Sequence, residues 1–563
     1  MPQSRSRGAP NMHSLNKQGR PQHACSECHA RKRKCHASWG RSACKRCLRL
    51  NIPCSHQAFI EAPIPSGSAI AERNTEIFPS QEICNQLVDL YFDLIHDKDH
   101  ALFHRPSFIT AQRQGLADMM HVSAMMALGA RFASNIWPGN SERWSRGRLW
   151  ANYSKHLFDS RIEVVSLAAI QACVLLSTIA FCEGEMEMES LYGAQAIRMI
   201  QLKGRLTDSL PSNPIQRETA IRVWWTVWML ENWTNAGARI PRQLTVDLNF
   251  PLPMEEHAFE QLSPEMFDPT MYPAECRAQY GIWAQMIPLT EVIAPINEMH
   301  EMTVRNRLTN FELFEHVERI AHKLDSWKLR LPDALHATPD NLKSYAKTGH
   351  ARSLAALHTG FHHFSQLLYY QFLQPSISKA AQNDAKIVKY ATRCREHAAE
   401  LSNLLWLTKQ TPDCQCMWPM IGHLLAISSS IHLHTLLFDD DESNIANVKH
   451  MLKQNFEMMI SLRQYWPSID LSMSRLRNFH QACQRSMNTT FNMDHWMLQF
   501  LQRYTKPVGE RETPISVEID DASANWPTWP LTIVDGLGND LDCDPWYNES
   551  DLSVGSDILQ SFL

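Results

Sequence analysis

Six cysteines near the N-terminus constrain this chain more than any other feature. Cys25, Cys28, Cys35, Cys44, Cys47 and Cys54 are spaced C-x2-C-x6-C-x8-C-x2-C-x6-C, two near-copies of one C-x2-C-x6-C unit. Zinc takes thiolates in tetrahedral sites, and a C-x2-C pair can bite one ion from a tight turn. Six thiolates can fill one four-ligand site and leave two over. They can also serve two ions if two sulfurs bridge both metals, and the near-duplicate spacing favours this shared arrangement. Six thiolates around two dications keep a residual negative charge, which neighbouring Arg and Lys offset. Between the second and third cysteines runs Arg31-Lys32-Arg33-Lys34. A metal-folded knot with its own basic cluster has the build of a DNA-reading device.

The charge of the whole chain fits that reading only when it is divided. The formal net charge of −5 over 563 residues hides two opposite ends. Residues 1–60 carry twelve Lys or Arg against one acid, Glu27, whereas from residue 513 onward there are ten Asp or Glu and no Lys or Arg. The first end suits a polyanion and the second would be repelled by it. The first thirty residues are polar and basic and show no secretory signal. A reducing compartment is therefore expected, where clustered cysteines bind metal rather than pair as disulfides. The nine other cysteines are scattered and read as small buried hydrophobes. Cys414-x-Cys416 has no partner pair nearby.

Composition divides the chain into five segments: a disordered basic arm over 1–24, the cysteine module over 25–54, a Pro/Gly/Ser-containing linker over 55–79, a helical region over 80–504 and an acidic tail over 505–563. The fold class expected is mainly α, with the small two-zinc module attached to a large all-α regulatory domain. In the helical region Leu87, Leu90, Tyr91, Leu94 and Ile95 follow i, i+3, i+4, i+7, i+8 spacing. Further helices are expected over roughly 117–133, 145–160, 164–182, 187–203, 215–233, 311–330, 347–373, 380–406, 415–437, 445–463 and 475–500, with prolines and glycines mostly between them. Val164 to Cys182 lacks any charge and approaches the ~20 residues that span a bilayer. Its Ser166, Gln171, Ser177 and Thr178, and its amphipathic neighbours, predict a buried central helix instead, so no membrane partner is expected. In the tail, acids alternate with Trp526, Trp529, Trp546, Leu559 and Phe562, a pattern of disordered activation segments whose aromatics anchor in a partner's groove.

The cysteine frame resembles the fungal two-zinc, six-cysteine (binuclear cluster) transcription factors. The match runs from Ala24 through Cys35, then Cys44-Lys45-Arg46-Cys47 and Ile52-Pro53-Cys54. The resemblance implies that Cys25 and Cys44 bridge the two zinc ions. It places the first short helix in the major groove of double-stranded DNA, with Arg31 and Lys32 at base edges and Arg33, Lys34 and Lys45 on phosphates. Many relatives prefer a CGG triplet, and Lys and Arg suit the O6 and N7 acceptors of guanine. Two departures stand out. His29 takes a place where relatives often have Arg or Lys, and the loop from His36 to Ala43 lacks their proline.

The helical region resembles the fungal-specific transcription factor domain, or middle homology region. Leu90-Tyr91-Phe92 through Leu102-Phe103-His104-Arg105-Pro106-Ser107-Phe108 looks like its opening, and Tyr192 to Met199 like its central helix. Arg222-Val223-Trp224-Trp225, Glu231, Arg239-Ile240-Pro241-Arg242, Asp247 and Pro251-Leu252-Pro253 match its most recognisable stretch, and His358 to Pro375 a later helix. The resemblance implies a nuclear activator of RNA polymerase II genes that meets co-activators through its acidic tail, with a metabolic or secondary-metabolite gene cluster as the target class the family suggests. A repressor of the same build is the alternative. No coiled coil follows the cysteines, so a homodimer would form through the helical domain, and a monomer is equally open.

Other classes fit less well. A ubiquitin-ligase-like cross-braced module needs eight ligands, and His36 and His56 are off-register. An enzyme in the helical region would need a site. His358 and His362 stand at i, i+4 without an acid as third ligand, and read with His363, His432 and His434 as helix-packing groups. Asp439-Asp440-Asp441-Glu442 resembles an aspartate-rich metal motif, but Ser443 stands where an acid is required. Trp224, Trp225, Trp228 and Trp233 read as core, with a small-molecule pocket left open.

Overall fold

Ser80 starts the first helix of the domain: its side chain accepts from Ile83 N, and Gln81–Leu94 (α1) then buries Leu87, Val88, Tyr91 and Phe92 on one face. The same logic, a polar cap followed by apolar residues at helical spacing, repeats along a computed structural model of the chain. It describes residues 78–98, 100–134, 142–161, 163–203, 210–238, 241–244, 250–263, 281–374, 385–504 and 506–511. The basic arm, the cysteine module, nearly all of the linker and the acidic tail from 512 lie outside the described residues. The chain divides into two units, Met1–Phe78 and Pro79–Leu563.

Among the described residues every regular element is helical. After α1 come Arg105–Arg113 (α2), Met119–Gly129 (α3), Arg148–Asp159 (α4), Leu167–Glu183 (α5), Met186–Leu202 (α6) and Pro214–Ala238 (α7). Then follow Glu256–Glu260 (α8), Ile282–Thr290 (α9), Ile293–Val304 (α10), Asn310–Arg330 (α11), Pro339–Lys347 (α12) and Ala351–Tyr369 (α13). The last are Ala385–Gln410 (α14), Ile421–Phe438 (α15), Glu442–Arg463 (α16), Ser468–Arg485 (α17), Met487–Thr490 (α18) and His495–Gln502 (α19). Short 3₁₀ turns occupy Arg143–Ser145, Asp333–Leu335 and Tyr370–Leu373.

Three helices are buried on every face and form the inside of the domain. All side chains are buried from Met120 to Gly129 in α3, from Ala169 to Ala180 in α5 and from Ile421 to Thr435 in α15. A helix apolar all round belongs in a core or a membrane. The uncharged stretch expected to be a central helix is α5, which packs against α3, α4 and α6. Ile421–Phe438 alone among the described helices is long and apolar enough to cross a bilayer, and 83% of it is buried inside the protein. Amphipathic helices cover these three; α11, for example, starts with a reciprocal capping box between Thr309 and Glu312 and buries only its Leu313, Val317, Ile320, Leu324 and Trp327 side.

Close crossings need glycine. A Cβ on Gly129 of α3 would stand 2.1 Å from the Leu87 carbonyl oxygen of α1. Gly184 ends α5 at φ +76°, and the Glu185 N–H returns to the Ala180 carbonyl at 2.8 Å, so that α6 follows as a tight hairpin.

The structure departs from sequence expectation at several helices. Helices α2, α8 and α12 form where none is expected, and α9 and α10 fill another such stretch, with Pro288 inside α9 and Pro295 in the first turn of α10. The helix expected over 347–373 starts a turn later, as α13, because α12 ends at Lys347 and Gly349 takes φ +80°, and it runs on into the 3₁₀ turn. The expected helix over 475–500 is three pieces, because Ser486 adopts an extended φ of −160°.

Candidate functional site

The residues expected to read DNA and bind metal, Cys25, Cys28, Cys35, Cys44, Cys47, Cys54, Arg31 to Lys34 and Lys45, lie outside the described residues. Their chemistry rests on the donor set, six thiols with flanking cations, which suits zinc. The described residues show what the helical motifs do.

The opening motif is a folded hinge between α1 and α2. Tyr91 Oη meets His100 Nε2 at 2.8 Å, and His96 Nε2 accepts from the Leu102 and Phe103 amides at 3.0 and 3.2 Å. His104 caps α2 by accepting from Ser107 N, with Pro106 in the first turn, where its missing N–H costs nothing. The long motif around Trp224 ties α7 to the segment after it. Fully buried Arg222 donates to Glu218 at 3.0 Å and to the Met254 carbonyl at 2.7 Å, and lies over the Phe259 ring. Trp225 Nε1 donates to the Pro251 carbonyl at 2.9 Å, and the buried Glu231 carboxylate accepts from the Gln243 and Leu244 amides. Glu256 accepts from Ile282 N and Trp283 N at 2.8 and 2.9 Å, fixing the start of α9; burial still pushes its carboxyl up to about 7, against the pull of Arg222.

The histidines singled out by sequence are packing groups. His358 Nε2 meets the Leu335 carbonyl at 2.7 Å, His362 Nδ1 meets His397 Nδ1 at 3.0 Å, and His363 stacks on Trp233. His432 pairs with Ser402 at 3.0 Å and His434 with the Leu373 carbonyl at 2.8 Å. Burial holds His358 and His432 down at about 4 and His363, His397 and His434 at about 3, so all are neutral at pH 7. Among the described residues no group of three or more His, Cys, Asp or Glu is arranged to hold a metal ion. Cys414 and Cys416 are buried thiols contacting Leu342 and Thr408, like the other described cysteines, all free and buried. Asp439 and Asp441 accept from backbone amides, and Asp441 caps α16.

Trp224, Trp225 and Trp228 pack edge to face with one another. Trp233 has a different role. It lines a cavity of about 140 Å³ bounded by the α1–α2 hinge, α5, α6, α7, α9, α13, α15 and Tyr504. Thr226, Met229, Leu230 and Trp233 face it at i, i+3, i+4, i+7 along α7. Two buried charged residues also line it: Lys98, in the hinge, and Glu189, in the first turn of α6. Sequence reasoning passed over both. Lys98 stands in the charged run His96-Asp97-Lys98-Asp99-His100 and reads as solvated, and Glu189 belongs to an alternation of Glu and Met that reads as a helix surface.

Comparison with known proteins agrees with the motifs. Residues 23–61 match the Fungal Zn(2)-Cys(6) binuclear cluster domain, a domain that binds two zinc ions, and residues 88–329 match the Fungal specific transcription factor domain. The chain is 22% identical over 480 residues to the Zn(2)-C6 fungal-type transcription factor FTF1c of Fusarium oxysporum f. sp. lycopersici, covering 79% of this chain and 51% of that one. It is 27% identical over 199 residues to FTF2 of the same fungus, covering 33% and 18% of the two chains. To the transcriptional regulatory protein C530.11c of Schizosaccharomyces pombe it is 25% identical over 334 residues, covering 53% and 39%. The chain spans about half the length of two curated relatives, both FTF1c matches. That family consists of transcription factors and not of enzymes. With both domain models matched in order on one chain, and the helical region built as the motifs require, the chain is similar to the fungal Zn(2)-Cys(6) binuclear cluster transcription factors in both of its matched regions.

Proposed function

We propose that the protein is a nuclear, sequence-specific activator of RNA polymerase II genes that reads CGG-like sites. The observation that carries this reading is the basic run Arg31–Lys34 set inside the six-cysteine frame, within the residues matched to the binuclear cluster domain. Cys25, Cys28, Cys35, Cys44, Cys47 and Cys54 hold the two zinc ions, with Cys25 and Cys44 bridging. Arg31 and Lys32 meet base edges, while Arg33, Lys34 and Lys45 meet phosphates. Cationic donors on guanine O6 and N7 discriminate at roughly 1–3 kcal/mol per good contact. The tail over 505–563 supplies acids and spaced aromatics for co-activators, and residues 80–504 form the regulatory body.

Selection of bound sequences from random DNA by the full chain tests the reading. Enrichment of a CGG triplet supports it, and half-site spacing reports whether one or two copies bind. Enrichment of no sequence above background, at a salt concentration that suppresses non-specific binding, would sink it.

A further inference from the structure

The cavity behind the α1–α2 hinge has a polar inventory that its own walls leave incomplete. Its hydroxyls are spent on backbone carbonyls: Ser177 on Glu189 at 3.0 Å, Thr178 on Val174 at 3.0 Å, Thr290 on Met286 at 3.0 Å and Thr359 on Ala356 at 2.9 Å. His100 is engaged at Nε2 by Tyr91 and lies 3.5 Å from Thr178 Oγ1 at Nδ1. Two groups keep unused capacity. Lys98, 6% exposed, has three donors and a single hydrogen bond, to the Phe92 carbonyl at 3.3 Å. The neighbouring Asp97 carboxylate pairs with His96 at 3.0 Å, and no acid among the described residues forms an ion pair with Lys98. Glu189, also 6% exposed, has one hydrogen bond, from Tyr504 Oη at 3.4 Å, longer than an ordinary O–H···O contact.

The two groups do not serve each other. No ion pair joins them, and neither acts on the other's proton affinity. Burial pushes the Glu189 carboxyl up to about 8 and the Lys98 ammonium down to about 8, so at pH 7 both are mostly protonated and Lys98 is the cation that lines this space. Asp97 attracts the Lys98 ammonium through space, but no carboxylate among the described residues contacts it, and a buried cation without a contacting partner is costly. An anion from outside the chain would pair with it directly.

The remaining walls define that anion's body. Trp283 stands beside Lys98, its Nε1 donating to the Asp97 carbonyl at 3.3 Å, and Trp233, Phe181, Phe364 and Trp418 complete an aromatic lining. An apolar cavity of about 150 Å³ accommodates one benzene ring, and this one measures about 140 Å³. Long-chain acids and polycyclic molecules exceed that volume, and inorganic anions leave the aromatic walls unfilled.

We propose that this cavity is a binding site for a small aromatic carboxylate, with the carboxylate paired to Lys98 and the ring held among Trp283, Trp233 and Phe364. The site is independent of DNA recognition and can be tested by binding alone.

Titration calorimetry and thermal shift on the full chain at pH 7 test it, with phenylacetate, 4-hydroxybenzoate and benzoate as probes, phenylacetamide as the uncharged counterpart and phenethylamine as the cation. The expected result is saturable binding of at least one acid at roughly 1 mM or below, with the amide at least about tenfold weaker and the amine inert. In Lys98→Met the acid should lose about tenfold or more while the amide is unchanged. The ligand-free variant should keep or raise its melting temperature, because a buried unpaired charge is gone. Equal binding of acid and amide, preference for the amine, or no binding by any of the three acids would overturn the proposal. So would a marked fall in the melting temperature of ligand-free Lys98→Met, which would assign Lys98 to holding the hinge. The acid-against-amide comparison needs no variant and decides the matter even if Lys98→Met fails to fold.

Discussion

Acidification should unfold the helical domain over a narrow range, and the buried histidines set the size of the effect. Burial pushes His300, His350, His358 and His432 down to about 4, and His363, His397 and His434 down to about 3. In the unfolded chain each titrates near 6.5. Between the two values the unfolded state binds more protons, so the stability contributed by each neutral imidazole is complete above pH 6.5 and is lost as the pH falls towards the folded value. From pH 7.5 to 4.5 each therefore costs about 2 to 3 kcal/mol, and the seven together roughly 18. Two acids act in the opposite direction. Glu189 and Glu256, raised by burial to about 8 and about 7, are protonated in the folded state before the unfolded one, and offset roughly 6 kcal/mol over the same interval. The net loss of roughly 12 kcal/mol is comparable with the whole stability of a domain, about 5–15 kcal/mol. The helical circular dichroism signal should collapse between about pH 5.5 and 4.5. Urea unfolding at pH 7.5, 6.5 and 5.5 gives the slope directly. That readout follows the helices and is separate from zinc release, which is measured with a metal dye. His358→Gln, which keeps a donor for the Leu335 carbonyl, should reduce the slope. Equal unfolding free energies at pH 7.5 and 5.5 would show that these imidazoles are not held neutral in the folded chain.

Four further outcomes are expected. Cys28→Ala should release zinc and abolish specific DNA binding in a mobility-shift assay, because a structural zinc site folds its module. Lys32→Ala should cost roughly 1–3 kcal/mol on the best site and relax sequence choice there, whereas Lys45→Ala should weaken all sequences alike and lower the salt slope by about one. Deleting 513–563 should silence a reporter while leaving DNA binding intact. Gly129→Ala should destabilise the helical domain by about 3 kcal/mol or more in urea, since the new Cβ meets a backbone oxygen rather than a side chain that can move.

Periodicity made most helices legible. Where a polar cap precedes apolar residues at helical spacing, as at Ser80, Ser166 and Thr309, expectation and structure agree within a few residues. The stretch over 282–304 carries two unexpected helices. Pro295 sits in a first turn, where its missing N–H is tolerated, and α9 carries Pro288 while Glu256 holds its first amides and α13 packs along it. A sequence shows the breaker and not the tertiary support. The same limit hid Lys98 and Glu189: their types and neighbours read as surface, and only the packing of the hinge, α6 and residue 504 takes them out of water.

The arrangement of α7 explains how one scaffold can keep its shape while its cavity changes. The motif residues Arg222, Trp225 and Glu231 bind the helix to the segment from 243 to 256 through backbone groups. Those partners are carbonyls and amides, so the tie depends on the motif side chains and tolerates other residue types opposite them. Thr226, Met229, Leu230 and Trp233, which line the cavity, form a separate stripe and make none of these anchoring hydrogen bonds. Substitutions along that stripe alter the volume and polarity of the cavity without touching the anchoring hydrogen bonds. Met229→Trp should therefore fill the cavity and block the acid probes, while the pH-dependent unfolding of the domain keeps its slope, since no buried imidazole among the seven is displaced. Loss of that slope together with probe binding would mean that anchoring and cavity-lining faces are not separable, and the division of labour along α7 would fail.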